Sequence, residues 1–259
     1  MMDNLLYIII THAICIISFI TAIILIAMQF IKKKPLNRNG IIISLATLVG
    51  MYLYIPMQLT CLGFTYSNPA ILKKAITLSI NPYEKRLCYN YLAGIYSNDM
   101  FKQGIKDGNK AIMYMEKALK GQYKKYPEET KTLAYWYSIK GDYNKTLELN
   151  KKIGETKSLS LKNIYILNNE YEKAINSSNE HSQSAADTFL NAALHEQVGD
   201  FNTASELRTK AQSLYSEQLV KYQKSYEKIQ YQEQVEKYKS ISSYKNWLAE
   251  EKKSFKFAN

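Results

Sequence analysis

The sequence has 259 residues, enough for a membrane segment together with a soluble domain of ordinary size. Its 34 lysine and arginine residues outnumber 23 aspartate and glutamate residues, a net charge of +11, but acidic residues are interleaved with the basic ones throughout. This pattern is typical of a solvated surface and not of a nucleic-acid groove, and three cysteines without metal-ligand spacing provide neither a disulfide framework nor a zinc site.

Two long uncharged segments near the N-terminus predict a transmembrane hairpin over residues 1–64. Residues 5–31 and 41–64 contain 27 and 24 residues and no charged side chain. As helices, both are long enough to cross a hydrocarbon core of about 30 Å. The first segment lacks the basic start and the short apolar run of a cleavable signal peptide, so we expect it to be retained. Residues 5–64 would then contact membrane lipid.

The loop between the two segments sets the predicted orientation. Its basic side chains are Lys32, Lys33, Lys34 and Arg38. Because it carries no acidic residue, the positive-inside rule places the loop in the cytoplasm and residues 65–259 outside it. Basic residues shortly after the second segment favour the opposite orientation, which stays open.

The high content of Lys, Asn, Ile and Tyr suggests an AT-rich bacterial genome, so the expected location is a bacterial cytoplasmic membrane, crossed twice.

Beyond the hairpin the sequence predicts helices only, because apolar residues recur at three- and four-residue spacing and glycine and proline are few. Residues 65–82 would be a linker or a degenerate half-repeat, with Asn81 as an N-cap. The segment 130–153 then reads TKTLAYWYSIKGDYNKTLELNKKI, which predicts a helix, a tight turn at Gly-Asp-Tyr and a second helix. Pro127 fits the start of the first of these helices.

The same arrangement recurs along residues 83–212, which therefore resemble tetratricopeptide repeats. Further turns are expected at 99–101 (Asp-Met-Phe), 169–171 (Asn-Glu-Tyr) and 199–201 (Gly-Asp-Phe). Two features depart from the family pattern. Lys162 stands where a small residue belongs, and equivalent positions lie 28 and 30 residues apart instead of about 34. Helix pairs of a less regular kind therefore remain an alternative.

The resemblance implies a groove lined by the inward face of each repeat's first helix. The residues expected to line it are Asn90, Asn98, Lys131, Tyr135, Ser138, Phe189, Ala193 and Gln197. Their mixture of polar and aromatic side chains suits a peptide or protein partner. The sequence thus favours a membrane-anchored interaction scaffold. The alternative is an accessory subunit of a membrane enzyme or of a secretion or assembly complex, bound through the hairpin, where Ala46 and Gly50 form a small-residue face.

Residues 213–259 predict a long amphipathic C-terminal helix with a tail. No glycine or proline interrupts the segment, and apolar residues, many of them tyrosine, continue at helical spacing with one change of phase. Whether this helix caps the last repeat or binds a partner stays open at this point.

The sequence carries no pattern that indicates catalysis. It has no glycine-rich phosphate loop, no nucleophile elbow and no paired histidines at metal-ligand spacing. His195 occupies a position where the repeat has a packed aromatic residue. We therefore expect a protein that is not an enzyme and that has no cofactor, metal or small-molecule substrate.

Overall fold

The structure, a computed structural model, describes residues 24, 38–97, 106–178 and 184–257, and within them every regular element is a helix. The all-α prediction is confirmed. The α-helices are α1 (Arg38–Thr65), α2 (Pro69–Leu78), α3 (Pro82–Ser97), α4 (Gly108–Leu119), α5 (Pro127–Lys140), α6 (Tyr143–Ile153), α7 (Leu159–Leu167), α8 (Tyr171–Asn176), α9 (Ala185–Gln197), α10 (Phe201–Lys221), α11 (Ser225–Tyr238) and α12 (Ile241–Ser254). A 3-10 helix, Tyr123–Lys125, precedes α5. The chain divides into two compact units, residues 1–91 and 92–259.

The first unit contains α1 and α2, which pack against each other. A Cβ atom on Gly63 of α1 would lie 2.7 Å from the Leu72 side chain of α2, so the absence of a side chain permits this close approach. The predicted second membrane segment, residues 41–64, falls within α1. In the part of the chain that the structure describes, no helix has both the length and the apolarity needed to span a membrane. The predicted first segment, residues 5–31, lies outside the described residues except for Ile24.

Helix starts follow the local signals of the sequence. The side chain of Asn81 accepts a hydrogen bond from the Tyr83 amide at 3.0 Å, which caps α3 as predicted. Pro82 and Pro127 are the first residues of α3 and α5. Proline is favoured there because the first turn of a helix leaves its N–H groups without intrahelical partners.

Three of the four predicted turns lie in the described residues, and they share one backbone geometry. Gly141, Asn169 and Gly199 end α5, α7 and α9 with φ values of 86°, 61° and 82°. The amide of the residue after each of these three donates a hydrogen bond of 2.9 Å to the carbonyl five residues before it. The amide of the residue with positive φ donates to the carbonyl three residues before it. This pattern satisfies the last carbonyls of each helix and reverses the chain. The fourth predicted turn, 99–101, lies outside the described residues.

These turns produce three helical hairpins, α5–α6, α7–α8 and α9–α10, that stack in chain order. The second helix of one hairpin packs on the first helix of the next, as α6 does on α7 and α8 on α9. The small side chains predicted for the second helices, Thr146, Ala174 and Ala204, are buried in every case. This stacking is compatible with a helical repeat.

The C-terminal region differs from the prediction of one long helix from Ser213. It forms the end of α10 and two further helices, α11 and α12. The chain turns after Lys221 because α11 packs back on α9, where Tyr231 and Val235 are buried against Phe189. The burial of these apolar side chains favours the reversal over continuation into solvent. α11 therefore covers the last hairpin.

α12 packs on a different surface, where it contacts α5, α7 and α9, the first helices of the three hairpins. The residues after it reach the start of α4: the Gly108 amide donates 2.6 Å to the Phe255 carbonyl. A Cβ atom at Gly108 would lie 2.3 Å from the Phe257 ring, so a larger residue there would have to displace this ring. Residues 255–257 are thus anchored within the second unit.

Candidate functional site

The predicted groove residues lie in several environments. Lys131 and Tyr135, both on α5, line a cavity described below. Phe189 and Ala193 on α9 are buried, and Phe189 belongs to the packing beneath α11. Gln197 is exposed and lines a smaller pocket next to the start of α12.

The three other predicted residues are not at this cavity. Ser138 is completely buried within α5. Asn90 is half-buried in the first unit, and Asn98 lies outside the described residues.

Part of the face expected to bind a partner is covered by α12. The Tyr244 hydroxyl of α12 donates 2.6 Å to the Asn163 side-chain oxygen of α7. The Asn163 amide group donates 3.2 Å to the Ser138 hydroxyl of α5. Burial raises the pKa of Tyr244 well above its ordinary value, so the hydroxyl stays protonated and keeps its donor role. This buried chain of hydrogen bonds fixes α12 on α7 and α5.

Beside α12 the same face opens into a cavity of about 710 Å³, here called the inner cavity. Its lining comes from α5, the loop before α7, α7, the residues after α8, α9 and the end of α11. The lining residues are Lys131, Thr132, Tyr135, Glu155, Lys157, Ser158, Leu159, Ser160, Lys162, Ser177, Asp187 and Tyr238. Six of the twelve residues carry a hydroxyl group, five carry an amine or a carboxylate, and Leu159 and the tyrosine rings add apolar surface.

The hydroxyl groups on one side of the cavity are held in place by a buried amide. The Asn150 side-chain nitrogen donates 2.9 Å to the Ser160 hydroxyl, and the Ser158 hydroxyl donates 2.9 Å to the Asn150 oxygen. Ser158 also caps α7 by accepting from the Leu161 amide at 3.2 Å. This part of the wall is therefore preorganised.

The lysine and carboxylate groups of the lining are not equivalent. Lys131 lies 3.1 Å from the Glu155 carboxylate and 3.4 Å from that of Glu128. The bond to Glu155 raises the pKa of Lys131, which keeps this amine charged and paired. The charged lining residues are three lysines and the two carboxylates of Glu155 and Asp187.

Lys162 has the most unusual environment of the lining residues. Its side chain is only 4% exposed, and its amine donates 3.2 Å to the Asn191 side-chain oxygen. The Ser178 hydroxyl donates 2.9 Å to the same oxygen. Burial lowers the pKa of Lys162, and the more distant charge of Asp187 opposes this shift.

Aromatic side chains form the wall nearest α12. Tyr238 packs against Tyr244 with ring centroids 5.0 Å apart and against Trp247 at 5.7 Å. Burial, followed by the negative charge of Asp187, raises the pKa of Tyr238 to about 12. Its hydroxyl is therefore protonated at neutral pH and available as a donor or acceptor.

Sequence reasoning missed Leu159, Asn163 and Lys162 as residues of this face. Leu159 and Asn163 stand at the repeat positions of Lys131 and Tyr135, one hairpin later. Aligning the turn 169–171 with the turn 141–143 and reading back the same number of residues would have identified both. Lys162 was noticed only as a departure from the repeat pattern.

His195 forms a 3.0 Å contact from Nδ1 to the Asp200 carboxylate, which also accepts from the Thr203 amide and caps α10. In the described parts of the chain, no group of three His, Cys, Asp or Glu side chains could hold a metal ion. No known protein family, curated protein or solved structure matches the chain. The function is therefore inferred from the inner cavity and from the sequence.

Proposed function

We propose that this chain is a protein-interaction scaffold whose inner cavity binds a peptide segment of a partner protein. The observation that carries the proposal is the lining: three successive first helices contribute side chains to a single open cavity. Its volume of about 710 Å³ lies in the range typical of binding clefts. Hydroxyl groups can pair with a peptide backbone, while Leu159, Tyr135 and Tyr238 offer apolar surface to side chains.

The partner segment is more reasonably an extended peptide than a helix. A docked helix needs a long apolar groove, but α12 already contacts α5, α7 and α9 along this face. Eleven of the twelve residues that line the space left beside α12 carry a polar side-chain group, Leu159 being the exception. An extended segment exposes its backbone donors and acceptors to such groups, whereas a helix uses them internally.

We also propose that the scaffold is held at a membrane and that its hairpins belong to the tetratricopeptide type. Residues 5–31 and 41–64 support anchoring by their length and lack of charge. The three turns with shared geometry support the repeat type. By the positive-inside argument the inner cavity faces away from the cytoplasm.

Selection of a displayed library of random peptides on the full-length protein in detergent tests the cavity assignment. Thr132→Trp projects an indole over the cavity from α5 and should abolish enrichment of the peptides selected by the wild type. Thr209→Trp is the matched control, because both threonine hydroxyls donate 3.1 Å to the carbonyl four residues earlier on an exposed helix surface. Binding that survives Thr132→Trp, or a library from which the wild type enriches nothing, would overturn the proposal.

A further inference from the structure

The position of Lys162 in the hairpin does not require a lysine. Lys162 lies seven residues before the positive-φ residue of its turn, as do Ala134 and Ala192 in the neighbouring hairpins. Both alanines are completely buried. A small apolar residue is therefore sufficient for packing at this position, and the lysine must be explained in another way.

The partner of Lys162 also departs from the hairpin pattern. Asn191 stands at the position of Leu133 and Leu161, both buried apolar residues in the preceding hairpins. Lys162 and Asn191 meet at 3.2 Å, so two polar substitutions at otherwise apolar positions form one contact. The contact holds the amine of Lys162, a residue of the cavity lining, in a fixed place.

This contact leaves the charge of the amine without a direct counter-charge in the described residues. An amide oxygen is neutral, and Asp187 acts on the amine only at longer range. Lys131, in contrast, is paired with Glu155 in the same cavity. Buried charges in proteins are normally compensated by an opposite charge, because removing an ion from water is costly.

We propose that the Lys162 amine binds an acidic side chain, aspartate or glutamate, of the peptide that occupies the inner cavity. The inference rests on the peptide-binding function proposed above and names the chemistry of its ligand. One carboxylate would supply the direct counter-charge that the Asn191 oxygen does not give this amine. A phosphate dianion would meet the two carboxylates of the lining with more charge than the cavity can compensate.

The lining favours a peptide that passes through the cavity over one that ends in it. α7, which carries Lys162, stands between α5 and α9 in the order of the hairpins. Polar lining residues continue on both sides, Thr132 on α5 and Ser177 and Asp187 towards α9. A chain that uses both sides presents a side chain, not its C-terminus, to Lys162.

Selection from a displayed random library, with peptides fused through their C-termini, tests this inference on the full-length protein. The wild type should enrich peptides with aspartate or glutamate at one position, and Lys162→Met should lose that preference. Lys210→Met, at an exposed position on α10 outside the cavity, should keep it. Lys131→Met, which removes another amine of the lining, one paired with Glu155, tests whether the carboxylate meets Lys131 instead. Methionine replaces the buried charge with an apolar chain of similar length, so the variant should melt no lower than the wild type.

Binding of one enriched peptide, amidated at its C-terminus, then measures the contact directly. Replacing its acidic residue by the corresponding amide should weaken binding to the wild type at least about tenfold and leave binding to Lys162→Met unchanged. The comparison of the two peptides on the wild type needs no protein variant, so the test does not depend on the folding of Lys162→Met.

Enriched peptides without an acidic position, or equal affinities of the wild type for the two peptides, would overturn this inference alone. If Lys131→Met loses the preference and Lys162→Met keeps it, the carboxylate binds Lys131, and the inference about Lys162 is wrong. If the wild type enriches nothing, the peptide-binding function is overturned together with it.

Discussion

At the residue scale, the three turns show why glycine, asparagine and glycine occupy equivalent positions. Each residue has positive φ, a conformation that glycine adopts freely and asparagine tolerates better than most other residues. Around Gly141 there is ample room, because the nearest atom to an added Cβ would be the Lys252 amine at 4.0 Å. The demand for glycine there is therefore one of backbone conformation and not of space.

We expect Gly141→Val to lower the free energy of unfolding by about 1–3 kcal/mol, since a β-branched residue is strained at positive φ. Gly141→Asn should cost much less, because Asn169 adopts the same conformation in the next hairpin. Lys140→Val, one residue earlier in α5, controls for the change to valine. Urea unfolding of the three variants measures how much unfolding free energy each substitution costs. Equal losses for valine and asparagine would contradict the role of φ.

The buried amine of Lys162 predicts a specific dependence of stability on pH. Its folded-state pKa is lowered by burial, so the native protein releases this proton at a pH at which the unfolded chain still holds it. Between the folded-state pKa and the unfolded value of about 10.4, stability from this group therefore rises with pH. Asp187, the charged group that acts on the amine, reduces the effect without reversing its sign.

Comparison of the wild type with Lys162→Met isolates this contribution. The difference in unfolding free energy, wild type minus variant, should increase with pH above the folded-state pKa of Lys162 and level off above about pH 10.4. Buried tyrosines such as Tyr244 act in the opposite direction, because their raised pKa values make folding less favourable in alkali, but they are present in both proteins. A difference that stays constant across this range would show that Lys162 titrates normally.

At the element scale, local signals predicted the helix starts and the hairpin turns, whereas long-range packing determined the C-terminal region. Asn81 and Gly141 act within a few residues of their own position, so the sequence reveals them. The break after Lys221 has no glycine or proline. It depends on the burial of Tyr231 and Val235 against a helix more than thirty residues earlier, which a periodic pattern does not record.

The hydrogen bond between α12 and α7 should contribute measurably to stability. Tyr244→Phe removes the donor and leaves the buried Asn163 oxygen without it, which we expect to cost about 1–3 kcal/mol. Tyr226→Phe is the control, because that hydroxyl bonds Glu227 in an exposed position and its loss should be nearly neutral. Thermal unfolding compares the pair. Equal melting temperatures would mean that this hydrogen bond contributes nothing measurable to holding α12.

At the scale of the whole molecule, the sequence identified the first helices as the candidate binding face but not what covers them. Lys131 and Tyr135 line the inner cavity, whereas Ser138 is buried in the chain of hydrogen bonds to α12. The sequence left open whether the tyrosine-rich C-terminal stripe caps the last repeat or binds a partner, and it did not indicate that α12 covers the first helices. The sequence showed Lys162 at a position where the repeat has a small residue. Only the structure shows that it lines the inner cavity and contacts the Asn191 side chain.

The compartment of the inner cavity follows from the orientation of the predicted hairpin. A cysteine introduced at Lys253, an exposed position near the end of α12, should react with a membrane-impermeant maleimide in intact cells once the outer envelope is permeable to it. The parent protein is the control for its own cysteines, Cys15, Cys61 and Cys88. Labelling only after the inner membrane is opened would place the cavity in the cytoplasm.

The basic loop provides the stronger form of this test, because it is the physical reason for the predicted orientation. The residues to be changed to glutamine together are Lys32, Lys33, Lys34 and Arg38. Without these charges the loop is no longer held on the cytoplasmic side, so the hairpin should insert in both orientations. Only a fraction of the protein should then be labelled at Lys253→Cys in intact cells. A variant that keeps one complete orientation would show that another feature sets it. In that case the basic residues after the second segment, Lys73 and Lys74, become the next charges to remove, and their loss should then affect the labelling.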